Sequence, residues 1–346
     1  TMLALHTTWN PKKRLRFELD GYQARWVPWP ADYAPTQEDD GAFDPTWLER
    51  LGSGQRTCPS RADDMERAEF EVLVALEAQL EDDQALALLI EPMQSEGGDR
   101  YGSGRFHRHV RALATAYDVP YIADEVQCGF HLGGPFFWHR SFNLPSPPDV
   151  ITSAKKCQVG AVISKSPSDT ASETQISSLV RGFAQTTLVS EQEAGEVGAH
   201  VLPMLSELAA RHPTTVGNPR VQGYAFGFDL PSPEALSFMV ATRMWRGYMV
   251  YGAGQRTLRF RLHRHMSERA LKALFDRLDS ALTAYETNAT TDWQHVAQPD
   301  EPRPWPAAIR EIPASYRIEA VCSSDFHLIK EGVHDLQAIT YEPARR

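Results

Sequence analysis

The stretch Pro120-Tyr-Ile-Ala-Asp-Glu-Val-Gln-Cys-Gly129 decides the fold of this chain. Its apolar start is short and ends directly on Asp124 and Glu125. A short apolar run is typical of a strand buried in a parallel sheet, and such sheets bind their ligands at the carboxyl ends of the strands. We therefore predict a strand here, with Asp124 at the ligand-binding edge.

Two other stretches repeat this arrangement. The apolar run Ala85-Leu-Ala-Leu-Leu-Ile90 predicts a strand buried on both faces, and it is followed by Glu91-Pro-Met-Gln-Ser-Glu-Gly-Gly-Asp99. Pro148-Asp-Val-Ile-Thr-Ser153 predicts a third strand, which leads to Lys155 and Lys156. Charged groups thus follow all three predicted strands, so we expect them to meet at one edge of a sheet.

Helices alternate with these strands. Apolar residues at helical spacing predict helices over residues 66–80 and 105–117. Strands that alternate with helices predict an α/β fold with a mostly parallel sheet.

Composition excludes several classes of protein. The 346 residues carry a net charge of −10, which argues against a nucleic-acid backbone as partner. The longest apolar run ends at Ile90 and is far shorter than the ~20 residues of a membrane span, so no membrane partner is predicted. The four cysteines have no metal-ligand or disulfide spacing, and the N-terminus lacks a signal-peptide pattern. We expect a cytoplasmic protein.

The pattern of elements divides the chain into three parts. Residues 1–195 form a large domain, in which residues 31–64 are rich in Asp, Pro, Gly and Ser and are interpreted as a surface insertion. Residues 196–286 form a smaller α+β C-terminal domain, and residues 287–346 form a linker and an extension. In the small domain we predict a strand over residues 221–229, a helix over 232–246, strands over 248–251 and 257–262, and a helix over 267–285.

The charged strand ends have a recognisable chemistry. A lysine holds an aldehyde cofactor as a Schiff base, and a carboxylate that faces a pyridine nitrogen keeps that nitrogen protonated, so the ring accepts electrons. This is the chemistry of pyridoxal phosphate. The alternative is that the lysines and carboxylates form structural ion pairs.

The order of the three stretches, with Gln158 two residues after the paired lysines, resembles the class III aminotransferases. These are fold type I enzymes that use pyridoxal 5'-phosphate, and the resemblance is closest to the L-lysine 6-aminotransferase group. It extends from about residue 1 to residue 285. It implies transfer of a terminal amino group, from lysine or a related ω-amino donor, to the 2-oxo acid 2-oxoglutarate.

The resemblance also implies roles for single residues near the cofactor. Lys155 would form the Schiff base and act as the catalytic base, with Lys156 as the alternative. Asp124 would pair with the pyridinium nitrogen, and Gln127 would donate to the phenolic oxygen. Thr186 would reach the cofactor phosphate across a dimer interface, with a helix-capping role for the threonines as the alternative.

Two further residues would recognise the substrate. Glu96 corresponds to the glutamate that shields or releases the substrate-binding arginine, and Arg259 corresponds to that arginine. Arg261 is the alternative, a strand residue with its own partner. The sequence Leu262-His-Arg264 stands where the family has Pro-Pro-Leu.

One family element has no counterpart in the chain. Class III enzymes have, before the region that matches residue 1, a Gly/Ser-rich phosphate cup and an aromatic residue that stacks on the cofactor. We therefore expect a homodimer or larger assembly in which this segment, or a partner chain, covers the apolar residues Leu3, Leu5, Trp9, Trp26 and Trp29. The alternative function is a non-catalytic scaffold or partner subunit on a degenerate aminotransferase fold.

The C-terminal end carries a second resemblance. Residues 320–346, which end in Ile339-Thr-Tyr-Glu-Pro-Ala-Arg-Arg346, resemble the opening strand and helix of GNAT-type acetyltransferases. This implies the start of an acetyltransferase-like domain. A plain C-terminal tail is the alternative.

Overall fold

The computed structural model divides into two compact units, Thr1–Thr291 and Asp292–Arg346. Placement is described for residues 7–8, 10, 14, 23–30, 43–59, 62–166, 176–188, 191–244, 246–264, 266–287, 320–323 and 326–329. Across these ranges, no helix has the length and apolar character needed to cross a bilayer.

Seven α-helices are described in the first unit. They are α1 (Pro45–Gly52), α2 (Asp64–Leu80), α3 (Gly104–Ala116), α4 (Ile176–Leu188), α5 (Glu191–Arg211), α6 (Pro233–Thr242) and α7 (Glu268–Glu286). Several begin at side chains that cap free backbone N–H groups. Asp63 and Glu66 form a capping box before α2, and Ser103 and Ser267 accept an N–H at the start of α3 and α7.

The first sheet confirms the predicted α/β fold. Its strands are β1 (Leu88–Ile90), β4 (Tyr121–Glu125), β5 (Val150–Ser153) and β6 (Ala161–Ser164), in the order β1-β4-β5-β6. The first three are parallel, and β6 is antiparallel to β5. Between β1 and β4 the chain forms a short antiparallel pair, β2 (Met93–Gln94) and β3 (Arg100–Tyr101).

The core beside this sheet includes a helix that the sequence prediction missed. Phe70 of α2 and Phe106 of α3 are almost fully buried next to Tyr121 of β4. Trp47 and Leu51 of α1 are buried in the same cluster. The interpretation of residues 31–64 as surface insertion is therefore wrong for α1, because a helix of eight residues with two large apolar side chains on one face needs a core to pack against.

Exposure in the first sheet differs from the prediction for residues 85–90. Leu88 is buried, but Leu89 is 51% exposed and Leu86 is 82% exposed. The strand is therefore buried on one face only within the described part of the chain. From the sequence, Trp29 is expected to be covered by a missing segment or a partner chain. It instead packs edge-on against Phe106 of this chain and donates its Nε1–H to the carbonyl of Tyr101.

The second sheet is antiparallel, in the order β7 (Gly217–Gln222), β8 (Ala225–Asp229), β10 (Thr257–Arg261), β9 (Tyr251–Ala253). The predicted single strand over residues 221–229 is instead a hairpin, which turns at Gly223 with a φ of +58°. Phe226 and Phe260 stack at 4.3 Å between centroids in its core. Helix α5 runs through residue 195, so the predicted boundary between large and small domains falls inside a helix.

The second unit is described only at β11 (Ala320–Ser323) and β12 (Phe326–Ile329), which pair antiparallel. The predicted strand is therefore present. The helix predicted after it lies outside the described residues, as do Leu3, Leu5 and Trp9, and the acetyltransferase resemblance stays a prediction.

Candidate functional site

Asp124 lies at the carboxyl end of β4, beside the central strand β5. In the register of the sheet Asp124 is opposite Thr152, whose hydroxyl donates to Asp124 Oδ1 at 3.1 Å. The backbone N–H of Val126 donates to the same oxygen at 3.0 Å. Both hydrogen bonds recorded for this side chain fall on Oδ1, so Oδ2 keeps its lone pairs for an outside donor.

Lys155 follows β5 in a conformation that lysine rarely adopts. Its φ is +56°, in the left-handed region, and it begins a one-turn 3-10 helix, Lys155–Cys157. The turn is closed by Gln158, whose N–H donates to the Lys155 carbonyl at 2.9 Å. A non-glycine residue held in this region costs about 1–3 kcal/mol and is often found at functional sites. The Lys155 side chain is exposed.

Lys156 is in a different environment from its neighbour. Its Nζ lies 4.9 Å from the centroid of the Tyr224 ring, so it points toward the second sheet. Burial, with a smaller contribution from the positive charge of Arg261, lowers the pKa of Lys156 to about 8. The sequence could not assign these environments, because they depend on a residue about seventy positions away.

Helix α4 packs against the turn that carries the lysines. A Cβ at Gly182 would lie 2.8 Å from the Cys157 carbonyl oxygen, so glycine is required for this approach. Thr186 lies in the same helix. Its hydroxyl is exposed and donates to the Phe183 carbonyl at 2.7 Å. The side chain of Thr187 lies outside the described residues.

The segment after β1 carries two glutamates, and the charge of Asp124 acts on the first of them, Glu91. Glu91 Oε2 accepts the N–H of Ser95 at 3.1 Å and so closes the turn that leads to Glu96. Burial raises the pKa of Glu91 to about 7, and repulsion from Asp124 and Glu96 adds to this, whereas the Ser95 hydrogen bond and Arg259 oppose it. Glu91 therefore interacts electrostatically with Asp124, Glu96 and Arg259.

Arg259 and Arg261 lie on β10 and face the same turn in different ways. Arg261 donates to both oxygens of Asp99 at 2.6 Å. Arg259 Nη1 lies 3.9 Å from Asp99 Oδ1, beyond hydrogen-bond distance. Burial lowers the pKa of Arg259, while the negative charges of Asp99, Glu96 and Glu91 oppose the shift. Of the two arginines predicted as alternatives, Arg261 is the one recorded with hydrogen bonds to Asp99, whereas Arg259 has only a longer ion pair with it.

Glu91 lies near enough to Asp124, Glu96 and Arg259 for their charges to act on its pKa, and Glu91 and Glu96 in turn act on the pKa of Arg259. Gln127 follows β4 and is partly buried. Its predicted hydrogen bond to the cofactor stays a prediction.

Sequence reasoning gave no role to two residues that hold this site in place. Glu125 is fully buried and accepts the backbone N–H groups of Trp138 and His139 at 3.0 and 2.8 Å. Arg220 is 1% exposed and donates to the carbonyl groups of Gly98 and Asp99. Glu125 sits inside the motif and could have been found. Nothing near Arg220 in the sequence indicates its partners.

Part of the chain is similar to proteins of a known family. Residues 48–184 match the family described as Aminotransferase class-III. The chain is 30% identical over 213 residues to a probable mitochondrial 4-aminobutyrate aminotransferase of Caenorhabditis elegans, covering 58% of this chain and 44% of that protein. It is 30% identical over 186 residues to 4-aminobutyrate aminotransferase of Dictyostelium discoideum, covering 50% and 38%.

A solved structure agrees with these matches. Lysine aminotransferase from M. tuberculosis in the internal aldimine form superposes with a TM-score of 0.61 at 27% identity, covering 66% of this chain and 57% of that chain. Residues 48–184 therefore resemble the class III aminotransferases, a family of enzymes that use pyridoxal phosphate. The chain spans less than half the length of the two curated relatives named above.

Proposed function

We propose that this chain belongs to an enzyme that transfers a terminal amino group, from lysine or a related ω-amino donor, to 2-oxoglutarate with pyridoxal 5'-phosphate. The observation that carries the proposal is the placement of Asp124 and the lysine turn at the carboxyl ends of two adjacent parallel strands. Open α/β sheets bind their ligands at this edge, outside the carboxyl ends of the strands.

The residues fit the cofactor. The free Oδ2 of Asp124 suits a protonated ring nitrogen, since Oδ1 already holds the hydroxyl of Thr152 and the N–H of Val126. The exposed amine of Lys155 suits the aldehyde carbon, and Gln127 would donate to the phenolic oxygen. When bound, pyridoxal phosphate supplies an aldehyde for the amino group and a ring that takes up electrons.

The chain's own residues would then perform two tasks. Nζ of Lys155 would hold the aldehyde group of the cofactor, and it would act as the base that takes the proton from the donor carbon that bears the amino group. The Asp124 carboxylate would accept a hydrogen bond from the protonated ring nitrogen. Thr186 would bind the phosphate group of the cofactor in a neighbouring protomer.

Glu96 and Arg259 would separate the two substrates. A guanidinium binds a carboxylate with two parallel hydrogen bonds, so Arg259 suits the second carboxylate of 2-oxoglutarate. Glu96 would neutralise Arg259 while the amino donor, which has a positive terminal group, occupies the site. The relatives named as 4-aminobutyrate and lysine aminotransferases support a donor whose reacting amino group is at the end of its chain.

Trapping the cofactor tests this function directly. The full chain is incubated with pyridoxal phosphate, reduced with borohydride and digested, and the labelled peptide is sequenced by mass spectrometry. We expect the label on Lys155 and its loss in Lys155→Ala, with Lys156→Ala as the matched control that keeps it. A label on Lys156 would reverse the assignment of the two lysines. A chain that takes up no cofactor would favour the non-catalytic scaffold.

We also propose a homodimer or larger assembly in which a partner chain or segment supplies the phosphate cup. Its support is the exposed apolar surface of α4 and β6, where Ile176, Phe183 and Val162 are 78%, 75% and 73% exposed. Burying each such side chain contributes roughly 1.5–3 kcal/mol. Light scattering should give a mass well above 38.8 kDa, and a stable monomer at micromolar concentration would contradict the assembly.

We place the protein in the cytoplasm. Three described cysteines, Cys58, Cys128 and Cys157, are free thiols, which suits a reducing compartment. Fractionation of cells that express the tagged native protein tests this location.

A further inference from the structure

Two arginines of β10 compete for one buried carboxylate. Arg259 and Arg261 are two residues apart, so their side chains leave the same face of the strand. Asp99, which is fully buried, accepts two hydrogen bonds of 2.6 Å from Arg261. Arg259 Nη1 stops 3.9 Å from the same carboxylate.

Asp99 cannot move toward Arg259 without disturbing its own backbone. Its φ is +45°, and its N–H donates to the Ser95 carbonyl at 3.1 Å. Its carbonyl accepts from Arg220 Nε at 2.7 Å, and Arg220 is itself held by Asp229 at 2.9 Å. The Asp99 carboxylate is therefore fixed against Arg261 from both sides of the turn.

We propose that Asp99 is a positioning residue that selects Arg259, and not Arg261, as the arginine that receives the substrate carboxylate. This deepens the proposed function and rests on it. If Arg261 turned to a substrate, Asp99 would stay buried without a counter-charge, which is strongly unfavourable. Arg259 can turn to the substrate without breaking a hydrogen bond to Asp99.

The same geometry gives a second consequence. Without the guanidinium of Arg261, the nearest positive group recorded beside the buried carboxylate is Arg259, at 3.9 Å. Asp99 would then capture Arg259 and remove it from the substrate site. Loss of Arg261 should therefore weaken carboxylate binding although Arg259 is intact.

The first experiment measures the affinity of the full cofactor-loaded chain for glutarate, an unreactive dicarboxylate, by calorimetry. We expect Arg259→Gln to weaken glutarate binding about tenfold or more. The double variant Asp99→Asn/Arg259→Gln should recover most of this loss, because Arg261 becomes free. If the double variant is folded but binds glutarate as poorly as Arg259→Gln, while the wild type binds it, the role of Asp99 is overturned. The proposed function is not affected by that result.

The second experiment does not depend on a change at Asp99. Arg261→Gln should weaken glutarate binding about tenfold, whereas the control Arg261→Lys, which keeps a positive charge for Asp99, should stay close to the wild type. Wild-type affinity in Arg261→Gln would contradict the proposal. Absence of glutarate binding in the wild type would overturn the proposed function and, with it, this assignment.

Discussion

Strands β8 and β6 are both short, largely apolar and antiparallel to a neighbour, yet they have opposite surroundings. All five residues of β8 are buried, between β7 and β10 and under the helices of the second sheet. All four residues of β6 are exposed, at the edge of the first sheet. The second sheet therefore completes its core with its own helices, whereas the first leaves apolar surface uncovered beside the candidate site.

The charged groups of the two regions differ in the same way. Around the second sheet, Arg220, Arg261, Asp99 and Asp229 use their hydrogen-bonding capacity on one another. At the edge of the first sheet, both hydrogen bonds recorded for the Asp124 carboxylate fall on Oδ1, so Oδ2 can accept one from a ligand. A group that is fully paired within the fold has no donor or acceptor left for a substrate, so the four paired residues suit a stabilising role. Arg259 of the same sheet differs from them, because it makes no hydrogen bond to Asp99.

The largest expected effect tests the core of the second sheet. Phe226→Ala removes a fully buried ring that stacks on Phe260, and we expect a loss of about 3–5 kcal/mol in the free energy of unfolding. Phe183→Ala is the matched control, since the same residue type there is 75% exposed and should change the value by less than about 0.5 kcal/mol. Urea unfolding measures both. Equal losses in the two variants would contradict the conclusion that Phe226 is in a core and Phe183 is on the surface.

The next effect concerns Glu91 and pH. The pKa of Glu91 is about 7 in the fold against 4.5 ordinarily, so the folded chain binds more protons between these pH values. This contribution to the free energy of unfolding is complete below pH 4.5 and is lost as pH rises to about 7, by up to about 3 kcal/mol.

Glu91→Gln should flatten the pH dependence of unfolding in that window. Glu71→Gln, on the exposed surface of α2, is the control that should leave the slope as in the wild type. A Glu91→Gln variant with an unchanged slope would show that this carboxyl ionises in the fold as it does in the unfolded chain.

A smaller effect tests how firmly the edge of the first sheet is held. Glu125→Gln replaces one of the two carboxylate oxygens, each of which accepts a backbone N–H, with an NH2 group that cannot accept one. We expect a loss of about 2 kcal/mol in the free energy of unfolding, which urea titration would measure. A loss as small as that of Glu71→Gln would mean that the segment at residues 138–139 does not depend on Glu125.

The smallest effect on stability is expected in β6. Val162→Thr keeps a β-branched residue on an exposed strand, so the free energy of unfolding should change by less than about 0.5 kcal/mol. Its effect on assembly should be larger if this face is covered by a partner, and sedimentation at several concentrations would measure it. A destabilisation above about 2 kcal/mol at a concentration where the chain is monomeric would place Val162 in the core.

The sequence by itself determined helices α2, α3 and α7, the strand ends at Glu91, Asp124 and Lys155, and the resemblance to class III aminotransferases. These features are local, because apolar periodicity and the residues after a strand are read from neighbours in the chain. It did not determine that Trp47 is buried or that Leu89 is exposed, since burial depends on what packs against a face.

Tertiary structure alone decided the partners of the two β10 arginines. Asp99 and Arg261 are 162 residues apart and meet only because the turn after β2 lies against the second sheet. In the sequence, Arg259 and Arg261 are both arginines on one face of one strand. They differ in their distance to the Asp99 carboxylate, which is 2.6 Å for Arg261 and 3.9 Å for Arg259. No local sequence pattern encodes a contact between residues so far apart in the chain.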